Sequence, residues 1–476
     1  MSTHRVLARA CAAVTLAVTC LARLARVRVD GARAETREWT RDSVIGRAVR
    51  ARDSDATSLR RALGTLAVVR DDVAFVARAL ASRDASSRTP CWRSDGGGGA
   101  RTCLPAFYAL GAWQCGGEEL GGRLVRGVPG RVVRDVRAPH FWNERGVTLE
   151  RYAETWRAAG EADASGCLFG DSSPGYLAMT WSESTRFHAG FADDVGRCWR
   201  ACQEASAEYE DGTRRSEAED DARRRTARAS PRRRCIDGVE GDERALGCAG
   251  EASAKDPPEE LGGHGLALPH LMRAAYGDAE PKFIVIVREP GARLRSAFYN
   301  YEHYRKRYGG VNESNLESGF ATYAREMMRA FSACAERHPL KGCAHRFEAY
   351  DPKFEAVFFH ADALIKSMYA VFLETWFEVF PRESFLVLRG EDLWSEDETT
   401  SVAAMKRVLE HLELDASDET ARTMARLEPT RDLIAFTNES ARPAMAPDLR
   451  AELDAFFAPH NARLAELLGD DRFRYA

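Results

Sequence analysis

The clearest pattern in the chain is an uninterrupted apolar run, Phe283–Val287. It is too short for a helix and rich in β-branched residues, as expected of a parallel strand buried on both faces. Arg288 stands at its carboxyl end and Pro290 breaks the pattern. Ala292–Tyr304 then reads as a helix with Ser296 in its first turns. Other elements fit the same α/β scheme. Ala106–Ala112 reads as a first strand, leading into a Gly-rich turn over Gly111–Gly122 and a short helix. Val132–Arg137 reads as a second strand, ending at Pro139-His140-Phe141-Trp142. Cys167–Gly170 leads into a turn-rich segment, Asp171–Tyr176. Leu364, Met368, Phe372, Trp376 and Phe380 recur every four residues beside Ile365, Tyr369, Leu373 and Phe377, the broad apolar face of a core helix. Phe385–Leu388 reads as another buried strand, followed by Arg389, Glu391 and Asp392, and helices are expected at about 399–413 and 447–468.

Two stretches depart from this scheme. Residues 35–88 are charged and partly helical in period (Leu63, Leu66, Val69, Val73, Val76), which suits a stem or a small helical lead-in. Residues 196–263 carry alternating charge blocks and almost no large apolar side chains, so a disordered insertion is expected there. The basic run Arg223–Arg234 within it fits a solvated loop better than a binding patch. The remainder, 89–476, reads as one α/β domain interrupted by that insertion.

Composition narrows the chemistry. A net charge of −4 over 476 residues gives no argument for nucleic acid. There is no Gly-x-x-x-x-Gly-Lys-Ser/Thr loop, which argues against an ordinary nucleoside triphosphatase. Arginine dominates the bases: there are seven lysines, the first of them Lys255. At the N-terminus, basic flanks surround an uncharged stretch from Ala10 to Ala22, shorter than the roughly 20 residues of a membrane span. It suits the core of a signal peptide within residues 1–34, with Ala32-Arg33-Ala34 as a cleavage site; a type II signal anchor and an organellar transit peptide also fit. Secretory entry is the favoured reading. Twelve cysteines agree with it. Cys91 and Cys103 bracket a Gly-rich loop, and Cys334 and Cys343 bracket a short His-Pro turn. A disulfide across either would stabilise by about 3 kcal/mol. Sequons at Asn312 and Asn438 point the same way, against a cytosolic protein with reduced thiols. No repeated Cys-x-x-Cys pair is present, so no metal is expected.

An arginine at a strand end and a serine near a helix start make a phosphate-binding pair, and open α/β sheets bind ligands at those carboxyl ends. Arg288 alone fits a structural salt bridge equally well. The full pattern V-R-E-P-x-x-R-x-x-S-x-F over 287–298 is more specific. It resembles the 3′-phosphate-binding segment of sulfotransferases that use 3′-phosphoadenylyl sulfate (PAPS). Further segments join it: PCW at 90–92, CLPAFYALG at 103–111, PHFWNERG at 139–146, the Cys334/Cys343 pair, FLVLRGEDL at 385–393, and FFAPHNARLAELLGDDRFRY at 456–475. Together they resemble the Golgi carbohydrate sulfotransferases, most of all the N-acetylgalactosamine 4-sulfate 6-O-sulfotransferase branch. The resemblance covers roughly 89–195 and 264–476.

The resemblance implies a three-layer α/β sandwich around a central parallel sheet. It also implies transfer of a sulfuryl group from PAPS to a hydroxyl of a polysaccharide acceptor in the Golgi lumen, as a type II membrane protein or a secreted one. Arg288 and Ser296 would hold the 3′-phosphate. The family's 5′-phosphosulfate loop, approximately G-x-x-K-C-G-T-T-x-L, falls on Gly111–Leu120, so Cys115, Gly116, Gly117 and Glu118 would surround the 5′ group.

Here the sequence departs from the pattern. The lysine is Gln114, and the two threonines are Gly117 and Glu118. Gln114 donates a neutral hydrogen bond and no charge. Losing one transition-state donor costs about 3–4 kcal/mol. A carboxylate at Glu118 facing an anion would be repelled by roughly 4 kcal/mol, unless it turns to solvent. Arg123 or Arg137 would restore a cation by reaching the lysine's place. The family's Lys-Glu-Pro-His, with glutamate as base, is Arg137-Ala138-Pro139-His140 here. His140 is the nearest titratable group and suits either a structural or a proton-accepting role. Asp171 suits either an acid–base role or an Asx-type turn cap. Three functions therefore stand: an active sulfotransferase, an eroded relative that binds nucleotide or glycan without turnover, and a structural partner of an active paralogue.

Overall fold

In a computed structural model of the chain, the described residues are 91–93, 101–129, 131–132, 140–143, 152, 168–178, 268–276, 279–309, 315–336, 340–341, 343–344, 362–429 and 444–475. The N-terminal 90 residues and the charged stretch 196–263 lie outside them, as do Arg137 and Ala138.

Strands β1 (Cys91–Arg93) and β2 (Arg101–Cys103) pair antiparallel, with Cys91 opposite Cys103, and the two cysteines form a buried disulfide. Cys343 is also disulfide-bonded, and the side chain of Cys334 is outside the described residues. Next come β3 (Phe107–Gly111), α1 (Gly117–Gly127), β4 (Gly170–Asp171), α2 (Leu268–Tyr276) and β5 (Lys282–Val287). Helices α3 (Pro290–Asn300), α4 (Glu302–Tyr308), α5 (Leu316–Ala335), α6 (Asp362–Ile365) and α7 (Tyr369–Val379) follow. The chain continues through β6 (Phe385–Arg389), α8 (Gly390–Leu393), α9 (Glu398–His411), α10 (Asp418–Ala425) and α11 (Pro447–Leu468).

The central sheet is wholly parallel, in the order β4-β3-β5-β6, and Val132 bridges Leu168 in the same sense. Of the strand expected at Val132–Arg137, only this bridging residue is described. The apolar runs form strands because both faces are covered. On one side α1 packs on β3 and on α10, which packs on α9; on the other α7 packs on α2 and α11, which also receives α3 and α5. The architecture is a three-layer α/β sandwich with a central parallel sheet. Its aromatic centre is Phe283, stacked on Phe385 at 4.7 Å and set against Trp376 at 5.2 Å. Each such fully buried side chain contributes about 1.5–3 kcal/mol.

Two expected helices are broken. The 292–304 helix divides at Tyr301, whose extended backbone separates α3 from α4 and sets its ring 5.9 Å from that of Trp113. The long apolar helix divides at 366–368, where the Ser367 hydroxyl donates to Pro290 O (3.2 Å) and accepts from Arg293 Nε (2.6 Å). In each case a tertiary contact overrides a continuous helical pattern. Among the described residues, no helix is long and apolar enough to cross a membrane.

Candidate functional site

From β3 the chain passes to β4 on one side, then returns across β3 to β5 and β6 on the other. The crevice beyond the carboxyl ends of β3 and β5 is therefore the topological switch point, where open α/β sheets bind ligands. The loop 112–116 lies there. Its entry is fixed by Ala112 N donating to Ile286 O of β5 at 2.7 Å. Gly116, with φ +85, caps α1; a Cβ there would come 2.7 Å from the Trp394 indole nitrogen, so both backbone and space require glycine.

Three successive carbonyls of this loop are held from outside. Arg293 Nη1 donates to Trp113 O (3.3 Å), Arg288 Nη1 to Gln114 O (3.3 Å), and Trp394 Nε1 to Cys115 O (3.1 Å). In a trans peptide the N–H points opposite the carbonyl, so the Gln114 and Gly116 amides face away from these donors. The first intrahelical bond of α1 is Leu120 N to Gly116 O, leaving the Gly117 and Glu118 amides ahead of it. Such a run of amides at a helix start suits an anion.

Arg288 is 9% exposed at the end of β5, and its backbone is pinned by the Tyr369 hydroxyl, which accepts from its N–H (3.3 Å) and donates to its carbonyl (3.0 Å). Ser296 in α3 is 0% exposed, and its hydroxyl has no partner among the described residues. The same holds for the buried Ser172 hydroxyl and the indole N–H of Trp113. A buried hydroxyl without a partner forfeits about 1–3 kcal/mol that a ligand oxygen can return. Glu289 caps α3 by accepting from Gly291 N (2.7 Å) and Ala292 N (2.6 Å), and burial raises its pKa.

Of the remaining predicted residues, Gln114 is half-buried with φ +62, and its side-chain oxygen accepts from Asn300 Nδ2. Glu118 is exposed. Its neighbour Glu119 is buried and paired with Arg123 at 2.7 Å. Arg123 does not take the missing lysine's place: its Nη1 donates to Met424 O (2.9 Å) and Ala425 O (2.8 Å), capping α10. The Cys115 thiol is buried, and burial pushes its pKa up to about 11, so it is a neutral packing group.

Asp171 is 0% exposed, and its Oδ1 accepts from Ser173 N (2.9 Å) and Ser173 Oγ (2.5 Å). Its Oδ2 accepts from the hydroxyls of Tyr152 (2.7 Å) and Tyr176 (3.0 Å). This is the bonding of an Asx turn, the second of the two roles weighed for it. Ser173 Oγ in turn accepts from His140 N at 2.9 Å, so Asp171 positions His140 through one hydroxyl. His140 is half-buried with φ +51, its ring 6.2 Å from that of Trp113.

The structure thus brings together loop 112–116, Arg288 and His140, places Ser296 buried in the helix after β5, and ties Asp171 to His140 through Ser173. Sequence reasoning missed Trp113, Trp394 and Lys366, whose Nζ lies 4.7 Å from the Trp113 ring centroid. Arg293 stood inside the quoted motif without a role.

No family model matches the chain. Carbohydrate sulfotransferase 15 of mouse is 27% identical over 196 residues, 41% of this chain and 31% of that protein. The human protein of the same name is 26% identical over 194 residues, with the same shares. The chain therefore matches about a third of the length of these curated relatives. A sulfotransferase from Alicyclobacillus acidocaldarius aligns over 78% of this chain and 99% of its own, at 16% identity and a TM-score of 0.36. The fold assignment rests on the sheet order rather than on that likeness. The similarity to carbohydrate sulfotransferases, over two fifths of the chain, supports the family that its motifs indicate.

Proposed function

We propose that the chain is a carbohydrate O-sulfotransferase, using PAPS and a polysaccharide acceptor that includes already sulfated chains. The observation that carries this reading is the amide-lined loop 112–116 held by Arg288 at the switch point, with the unpartnered Ser296 hydroxyl in the helix that follows β5. These residues fit the two anionic ends of the nucleotide. Arg288 and Ser296 suit a 3′-phosphate, and the Gly116, Gly117 and Glu118 amides suit the 5′ group. When bound, PAPS supplies the sulfuryl group that passes in line to a sugar hydroxyl. The chain's residues position the reactants and offset charge. His140, held by Ser173, accepts the hydroxyl proton in place of the base absent at Ala138. The N-acetylgalactosamine 4-sulfate 6-O-transferring branch is the specific reading favoured by the quoted segments. The Cys91–Cys103 disulfide supports work in an oxidising lumen, hence a secretory-pathway and Golgi location.

Calorimetric titration of the full chain with adenosine 3′,5′-bisphosphate tests the site. Micromolar binding is expected, weakened at least tenfold by Arg288→Ala, which removes a charged donor. A folded wild-type chain that binds nothing would overturn the reading. The reading without turnover is favoured by one observation, the neutral Gln114 side chain tied to Asn300. A screen of acceptors with labelled PAPS separates the two: label transferred by wild type and lost in His140→Asn, with nucleotide affinity kept, means an enzyme. Binding without transfer means an eroded one.

A further inference from the structure

The missing lysine leaves the 5′ side of the site without the cation that a departing phosphate oxygen needs. Two arginines touch the loop, but both point an Nη1 at its carbonyl oxygens. Lys366 is a third cation, and it comes from the break between α6 and α7, about 250 residues further along the chain. Its Nζ lies 4.7 Å from the centroid of the Trp113 ring, and Trp113 immediately precedes Gln114.

This placement is built. Arg293 is 1% exposed, and its guanidinium bonds both segments of the arrangement. It donates to Trp113 O at 3.3 Å, beside Gln114, and to Ser367 Oγ at 2.6 Å, beside Lys366. It also donates to Ala363 O one turn earlier. One buried clamp thus fixes the loop and the helix break relative to each other. The indole face then orients the ammonium by a cation–π contact that leaves its charge in place. Lysine suits this task, since a compact charge on a four-carbon stem meets a single oxygen better than a planar fork does.

We propose that Lys366 supplies, from a different segment of the chain, the positive charge that position 114 lacks. The inference rests on the sulfotransferase reading above. In the transfer the acceptor oxygen forms a bond to sulfur, and the bond from sulfur to the 5′-phosphate oxygen breaks. The electron pair of that bond stays on the phosphate oxygen, next to the ammonium, and the hydroxyl proton goes to His140. Gln114, turned to Asn300, is left as a neutral wall of the loop.

The test compares affinities for adenosine 3′,5′-bisphosphate and for adenosine 3′-phosphate in the full chain, by calorimetry. Lys366→Met is expected to weaken bisphosphate binding about tenfold or more, the loss of one charge-assisted contact to the 5′-phosphate, and to leave binding of the 3′-phosphate within about twofold. Lys366→Arg should retain most of the preference. The double variant Lys366→Met with Gln114→Lys should recover it, because the charge is returned to the same place from the loop side. An unchanged ratio in Lys366→Met would overturn the proposal. An equal loss for both ligands would also overturn it, because it would make Lys366 a structural residue. Wild type that binds neither ligand would remove the underlying reading, and this inference with it.

Discussion

Asp171 accepts four hydrogen bonds, yet burial pushes its pKa up to about 6 from 3.8. Between those values the folded chain holds a proton that the unfolded chain has lost. The stability from this group is complete below about pH 4 and falls as pH rises through 6. A shift of about two units corresponds to about 3 kcal/mol. In Asp171→Asn that slope is absent. The stability gap between wild type and variant, read from urea midpoints, is therefore expected to shrink by about 3 kcal/mol from pH 4 to pH 7. A gap that stays constant would mean that the carboxyl titrates as in the unfolded chain. At this scale residue identities were legible and their surroundings were not. Gln114 and Glu118 stand out against the motif in the sequence itself. That Asn300 holds Gln114 and that Arg293 grips Trp113 follow from residues brought together across 180 positions or more, and that Glu118 is exposed follows from the packing around α1.

The strands of the central sheet could be read from the chain because burial on both faces leaves an unbroken apolar run, as in β5 and β6. The helix breaks at Tyr301 and at 366–368 could not, since local periodicity carries no trace of Arg293, Ser367 or the ring of Trp113. The Cys91–Cys103 link is the opposite case, because two cysteines bracketing a Gly-rich interval announce it, although the strands they join were not expected. The disulfide closes a loop of sequence separation 12. The paired change Cys91→Ser, Cys103→Ser is expected to cost about 3 kcal/mol of stability by releasing unfolded-state entropy. Urea denaturation of the two proteins at neutral pH checks this, and equal midpoints would mean that the hairpin adds nothing to the domain.

Over the whole molecule two half-buried histidines work against Asp171 on acidification. Burial lowers the pKa of His411 at the end of α9, and that of His460 in α11, to about 4 from 6.5. Both stay neutral in the folded chain while their unfolded counterparts take up protons. Their stability is present above about pH 6.5 and is lost as pH falls towards 4, opposite in sign to Asp171. Among the described residues, Asp397, Asp415, Asp418, Asp448, Glu452 and Asp470, held low by their partners, act in the same direction as the histidines, and Asp171 and Glu289 act against them, so a net loss on acidification is expected. Stability measured at pH 4.5 is expected to lie below that at pH 7 in wild type, and the difference should narrow or reverse in His411→Gln, His460→Gln. The sheet order has a further consequence, for synthesis. The central strand β5 separates β3 from β6, and the indole that holds the Cys115 carbonyl comes 279 residues later. At about 5–20 residues per second, the nascent loop 112–116 waits about 15–55 s for Trp394 to be made. Until its partner β5 is made, β3 presents an unpaired apolar edge, so the chain depends on protection from aggregation over that part of synthesis.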